Sequence, residues 1–141
     1  MQQFSIPLRV YIEDTDAGGI VYYVNYLKYM ERSRTEFLRS LGYHKPAILD
    51  GGLLLVVHAA QINYRRSARL DDQLHITAQI EKLARTYVEF KQQVLRGEEL
   101  LCEGVIRIAC VDAVTMKPNA IPAAMHHQLE HFFHSQTVRV N

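Results

Sequence analysis

The sequence lacks any excess of charge. Its 141 residues carry 16 Lys and Arg against 15 Asp and Glu, a formal net charge of +1. Without a surplus of positive charge no field spans the molecule to hold a nucleic acid, so an anionic ligand must be met by local basic groups. No apolar run approaches the ~20 residues of a membrane-crossing helix. Met1 to Val10 (MQQFSIPLRV) has no basic segment followed by an apolar one. Neither membrane insertion nor a secretory signal is expected, and the expected location is the cytoplasm. Cysteine is scarce as well, limited to Cys102 and Cys110. On one extended strand their Cα atoms would lie ~26 Å apart, far beyond disulfide reach, and their shared face suits two buried free thiols. Repeats, low-complexity segments and internal linkers are missing too.

What is present is the balance of a soluble globular domain, 48% hydrophobic and 22% charged, in a chain long enough for one core but not two. One domain is expected over residues 1–134, with a frayed tail over 135–141. Ile6, Leu8, Val10 and Ile12 alternate with Arg9, Tyr11 and Glu13, a strand signal. After a polar, glycine-bearing break the period becomes helical from about Tyr23 to Leu41, with Leu27, Met30, Arg34, Phe37, Leu38 and Leu41 three or four apart and Gly42 as a stop. Four more strands are predicted: Leu53 to Arg65, around Leu74 to Ile80, around Val88 to Val94, and Leu101 to Val111. Pro122 can open a final helix whose apolar face is Met125, Leu129, Phe132 and Phe133. Strands grouped apart from helices indicate an α+β fold with an antiparallel sheet. One amphipathic helix cannot cover both faces of such a sheet, so association through the sheet or its edge is expected.

Chemistry is concentrated between Glu13 and Tyr26 (EDTDAGGIVYYVNY). Two carboxylates, Asp14 and Asp16, stand before small residues and the start of a helix. First-turn N–H groups have no intrahelical partner and carry partial positive charge, so they can hold a carbonyl oxygen as it becomes an oxyanion. Gly18 and Gly19 permit tight backbone geometry, and a neighbouring carboxylate can serve as base or nucleophile. A calcium loop is rejected, because its twelfth position from Asp14 is Asn25 rather than Glu. A magnesium-binding aspartate pair wants the parallel βαβ alternation that is missing. Spacing alone does not choose between catalysis and simple helix capping by these aspartates.

Elsewhere the plainer readings prevail. Glu31 and Arg34 have i,i+3 spacing and read as a helix-surface pair. His58, alone in LLLVVHAA, reads as a structural group rather than a dehydratase histidine. His126, His127, His131 and His134 read as a polar helix face, and no metal site is assigned. Arg65, Arg66 and Arg69 form the densest basic cluster. They are candidates for phosphate recognition, with Lys82 and Arg85 near the next turn as equal rivals, although such a cluster is usually a solvated turn, here with Asp71 and Asp72 as counter-charges.

The run Val10 to Gly42 (VYIEDTDAGGIVYYVNYLKYMERSRTEFLRSLG) resembles the 4-hydroxybenzoyl-CoA thioesterase-like branch of the hotdog superfamily, and within it looks like the acyl-CoA thioesterases associated with the Tol–Pal cell-envelope system. The likeness continues through Tyr64–Asp72 (YRRSARLDD), Cys110–Asp112 and Met116–Pro118, almost the whole chain. It implies a hotdog fold: a five-stranded antiparallel sheet wrapped around one long central helix, with a short C-terminal helix here. It implies a homodimer or homotetramer with sites at the subunit interface. It implies hydrolysis of acyl-CoA thioesters in lipid metabolism without a cofactor, Asp16 being the catalytic acid and the Tyr23 backbone N–H the oxyanion donor. Relatives often carry His at position 23, so the Tyr23 side chain inherits no role. Gly19, Tyr26, Arg65, Arg66 and Arg85 are the expected substrate-binding residues, and an acyl-carrier protein is a possible partner. A non-hydrolytic acyl-CoA or acyl-carrier-protein binding module is the alternative.

Overall fold

The computed structural model describes residues 3–138. The chain forms β1 (Phe4–Arg9), α1 (Asn25–Ser40), β2 (Ile48–Leu49), β3 (Leu53–Tyr64), β4 (Gln73–Leu83), β5 (Tyr87–Arg96), β6 (Glu99–Asp112) and α2 (Ala123–Val138). All six strands join one sheet in the order β1-β4-β5-β6-β3-β2, with every pairing antiparallel. Five are the strands that alternation predicts. The sixth, β2, corrects the expected count: it is two residues long and pairs only with Leu53 and Leu54, too short to leave a period in the sequence. The first strand stops at Arg9 instead of continuing to Glu13. There the Asp14 carboxylate accepts the Tyr11 N–H at 3.0 Å and the chain coils into a 3-10 turn over Ile12–Asp14. A side-chain acceptor has displaced the strand ladder.

Irregularities between Val57 and Ala59, Ile80 and Lys82, and Val94 and Leu95 let the long strands bend, and the sheet curls around α1. The helix buries Tyr26, Met30, Ser33 and Phe37 against it, at the three- and four-residue steps of one face. Leu27, expected in that stripe, is 37% exposed, and Ser33 takes an inner place because its hydroxyl donates to the Ile76 carbonyl at 2.8 Å. Gly104 permits the close approach: a Cβ there would stand 2.5 Å from Ile62 Cδ1 and 3.3 Å from Met30 Sδ.

Helix α2 begins just after Pro122, as predicted, and lies along β4. Its Phe132 ring meets Phe37 at 4.6 Å. The buried Gln136 amide donates to the Ile80 carbonyl and accepts from its N–H, holding the last turn against a stretch of β4 beyond the reach of β1. Residues 139–141 lie outside the described residues. Cys102 and Cys110 are free and buried, and burial pushes the Cys102 thiol up to about 12.

Candidate active site

The segment after β1 folds into a small hairpin. Thr15 bridges Val21, the Asp16 N–H donates to the Ile20 carbonyl at 3.0 Å, and the Gly19 N–H donates to the Asp16 carbonyl at 3.0 Å. Gly19 has φ +77°, a backbone that favours glycine. The hairpin is fastened to the link between β3 and β4, where the Val21 N–H reaches Ala68 and the Leu70 N–H reaches Gly19. Asp16 projects from its tip, exposed to solvent. One carboxylate oxygen, Oδ1, accepts the Gly18 N–H at 2.9 Å. That contact fixes the side chain and leaves the second oxygen for chemistry.

Asp14 is a structural residue. Its carboxylate ends β1, and its carbonyl accepts the Tyr22 N–H at 3.0 Å and Asn25 Nδ2 at 2.8 Å, binding the hairpin to the start of α1. The helix opens through tight i→i+3 contacts, Asn25 to Tyr22, Tyr26 to Tyr23 and Leu27 to Val24. The regular helix therefore begins two residues after Tyr23. Among the described residues no acceptor takes the Tyr23 N–H. An unpaired amide at the positive end of a 16-residue helix is a donor available to an incoming oxygen.

Asp16, Tyr23, Tyr26, Arg65 and Arg66 line one cavity of about 460 Å3. Five of the seven expected site residues thus come together, and Gly19 sits in the hairpin beside them. Arg85 does not join them. It lies in the turn between β4 and β5, whereas the Asp16 hairpin is fastened at the opposite end of β4, a strand ~33 Å long at ~3.3 Å per residue. Tyr26 contributes its ring; its hydroxyl is committed to accepting the Ala68 N–H at 2.9 Å. Burial raises its pKa, with the Ala68 N–H acting in the opposite direction.

The arginine counter-charges differ from those expected. Arg66 pairs with Glu99 at 3.2 Å, and Arg65 lies 3.8 Å from Glu103. Asp72 instead accepts the Arg69 N–H and the Arg96 guanidinium. Tyr64 escaped the sequence reading. Tyr64 packs edge-on against Tyr23, 5.9 Å between centroids, and against Tyr26 at 5.7 Å; an aromatic residue ending a strand just before Arg65-Arg66 was its signal. Tyr29, buried inside α1, has a hydroxyl with no hydrogen-bond partner among the described residues, and burial together with the nearby Asp14 carboxylate raises its pKa.

A curled antiparallel sheet around one long helix, with a carboxylate and a free amide at the helix start, is the hotdog architecture. The sequence pattern of the thioesterase-like superfamily matches residues 10–129, and the chain belongs to that superfamily. It is 41% identical over 129 residues to an acyl-CoA thioesterase, YbgC, of Haemophilus influenzae, covering 88% of this chain and 95% of that one. It is 40% identical over 123 residues to the acyl-CoA thioester hydrolase YbgC of an Escherichia coli strain, covering 86% and 92%. The crystal structure of a "Probable Thioesterase" from Bartonella henselae superimposes with a TM-score of 0.75 at 35% identity, covering 86% of this chain and all of that one (100%).

Proposed function

We propose that the chain hydrolyses acyl-CoA thioesters to a free acid and CoA, with Asp16 as the catalytic carboxylate. The observation that carries this reading is the shared cavity: a carboxylate with one free oxygen, an unpaired helix-start amide, and two arginines at its edge. The thioester carbonyl accepts the Tyr23 N–H, where the helix dipole stabilises the growing negative charge. In the water route Asp16 takes a proton as water adds to the carbonyl carbon; the C–S bond then breaks and the proton goes to the CoA sulfur. In the covalent route Asp16 adds directly, expels CoA, and water opens the anhydride. A single turnover in ¹⁸O-water tests the covalent route: label in the Asp16 carboxylate marks an anhydride opened by water at the aspartyl carbon, which the water route cannot produce.

Arg65 and Arg66 have side chains 57% and 68% exposed. Ion pairs so open to solvent hold weakly, so both guanidinium groups can exchange Glu103 and Glu99 for CoA phosphates. The same rim offers a landing place for an acidic acyl-carrier protein. The functional unit is a homo-oligomer, joined at least in part through the open edge of β3. That strand is covered by β6 on one side but by β2 at only two positions, leaving unpaired backbone donors and acceptors from Val56 to Tyr64. An edge of that length next to the Tyr64 side of the cavity suits a second copy.

The test is thiol release from acyl-CoAs of graded chain length. Turnover that disappears in Asp16→Ala and persists in Tyr23→Phe is the expected result. Tight binding without turnover by the wild type would replace hydrolysis with the binding-module reading.

A further inference from the structure

A trough adjoins the candidate site. It runs between α1 and β3, has a volume of about 320 Å3, and is walled by Val24, Leu27, Lys28, Val57, Ala60 and Ile106 down to Glu31 and Arg34. Glu31, Arg34 and Val57 also line a smaller depression of about 90 Å3 that continues it toward Leu38 and Phe90. Helix and strand descend together from the site, through Tyr23, Val24 and Leu27 on one side and Tyr64, Ala60 and Val57 on the other. At ~1.5 Å of rise per residue Arg34 stands ~16 Å along the helix from Tyr23. An acyl chain whose carbonyl rests on the Tyr23 amide can run into this trough.

The upper walls are aliphatic apart from the exposed Lys28, and the chemistry changes at the far end, where Glu31 is exposed and Arg34 is buried. Arg34 is only 8% exposed. Its Nη1 donates to Gln92 Oε1 at 2.9 Å, and the Gln92 amide donates to the Met30 and Thr77 carbonyls at 2.9 and 3.1 Å, so the guanidinium is fixed from behind. Contrary to the surface pair that their spacing suggests, Glu31 and Arg34 form no ion pair, nor does Arg34 with any other carboxylate among the described residues. Burial lowers the Arg34 pKa to about 10, with Glu31 acting in the opposite direction.

Arg34 offers donors only, and the Glu31 carboxylate acceptors only. A methyl-ended chain reaching this point satisfies neither and shields the remaining guanidinium donors from water, which is unfavourable. A carboxylate-ended chain suits Arg34 but meets the like charge of Glu31. A hydroxyl accepts from the one and donates to the other. We propose that the trough receives an aliphatic acyl chain bearing a hydroxyl group, and that Arg34 and Glu31 are the specificity-determining pair that selects it. The inference rests on the acyl-CoA reading above and adds the class of acyl group.

The test measures thiol release from acyl-CoAs matched in carbon number and ending in methyl, hydroxyl or carboxylate, over several lengths. For the wild type the expected kcat/KM with the hydroxyl end exceeds the methyl end by about tenfold at one length or more. Arg34→Met is expected to bring that ratio to about one, with Arg34→Lys keeping part of it. The inference is overturned if methyl or carboxylate ends are turned over as well or better at every length, or if Arg34→Met leaves the ratio unmoved. The wild-type ratios decide the matter even if Arg34→Met fails to fold. Turnover in the wrong order removes this inference alone. Release of no thiol from any member would remove the acyl-CoA reading and this inference with it.

Discussion

Asp72 shows how single side chains hold the site in place. Its carboxylate fastens the β3–β4 link by accepting from the Arg69 N–H at 2.8 Å and the Arg96 guanidinium at 2.7 Å. Burial alone would raise its pKa, but these donors outweigh burial and hold it below the ordinary carboxylate value. A carboxyl depressed in the folded state contributes stability above its unfolded pKa, about 4, and loses it as pH falls through the folded value. Asp72→Asn should therefore lower the urea midpoint at pH 6, and the gap from wild type should close as pH falls toward 3. A gap independent of pH would show that the carboxylate charge has no part in it. Tyr26 works at the same scale: its hydroxyl hangs the link from the helix, while its ring walls the cavity.

At the scale of elements, Gln92 joins three pieces. Borne on β5, it accepts from Arg34 on α1 and donates to Met30 of α1 and Thr77 of β4, all in the interior. Gln92→Leu removes the acceptor of the buried Arg34 guanidinium and the amide that ties the Met30 and Thr77 carbonyls together, and should cost about 3 kcal/mol in urea unfolding; a loss below about 1 kcal/mol would mean that the network relaxes onto water. Nothing in the local sequence announces this network. Alternation predicts Val88, Phe90 and Val94 as the inner face of β5, and the period places position 92 on that face, but a polar residue there gives no sign of its partners. The same limit explains the misplaced counter-charges: Arg65 and Arg66 are near Asp71 and Asp72 in sequence, yet β6 brings Glu99 and Glu103 closer in space. The Asp16 hairpin was legible because its signals are local, glycines beside a carboxylate and a helix start. Arg85 follows the end of β4 opposite to the Asp16 hairpin, a separation within one chain that its basic character alone does not reveal.

For the whole molecule the open question is the edge of β3. The other outer strand, β1, is only six residues long and carries Pro7, the usual way of blunting an edge. β3 has no such protection, and its middle, Val57 to Gln61, is exposed in a single chain despite apolar residues. Sedimentation equilibrium should give two or four times the 16.3 kDa of one chain, with slow hydrogen exchange along the open edge of β3 between Val56 and Tyr64. A monomer with fast-exchanging edge amides would contradict an oligomer built on that strand.

The proposed hydrolysis turns on Asp16, and Asp16→Asn tests it most directly. Asparagine keeps an oxygen that can accept the Gly18 N–H, so the hairpin survives while the charge and basicity are lost. Because Asp16 is exposed, the thermal midpoint should hardly move. The measurement is kcat for thiol release from an acyl-CoA that the wild type turns over. The predicted result is a fall of about a hundredfold or more with an unchanged midpoint. An Asp16→Asn enzyme that keeps most of its wild-type kcat would rule out Asp16 as the catalytic carboxylate.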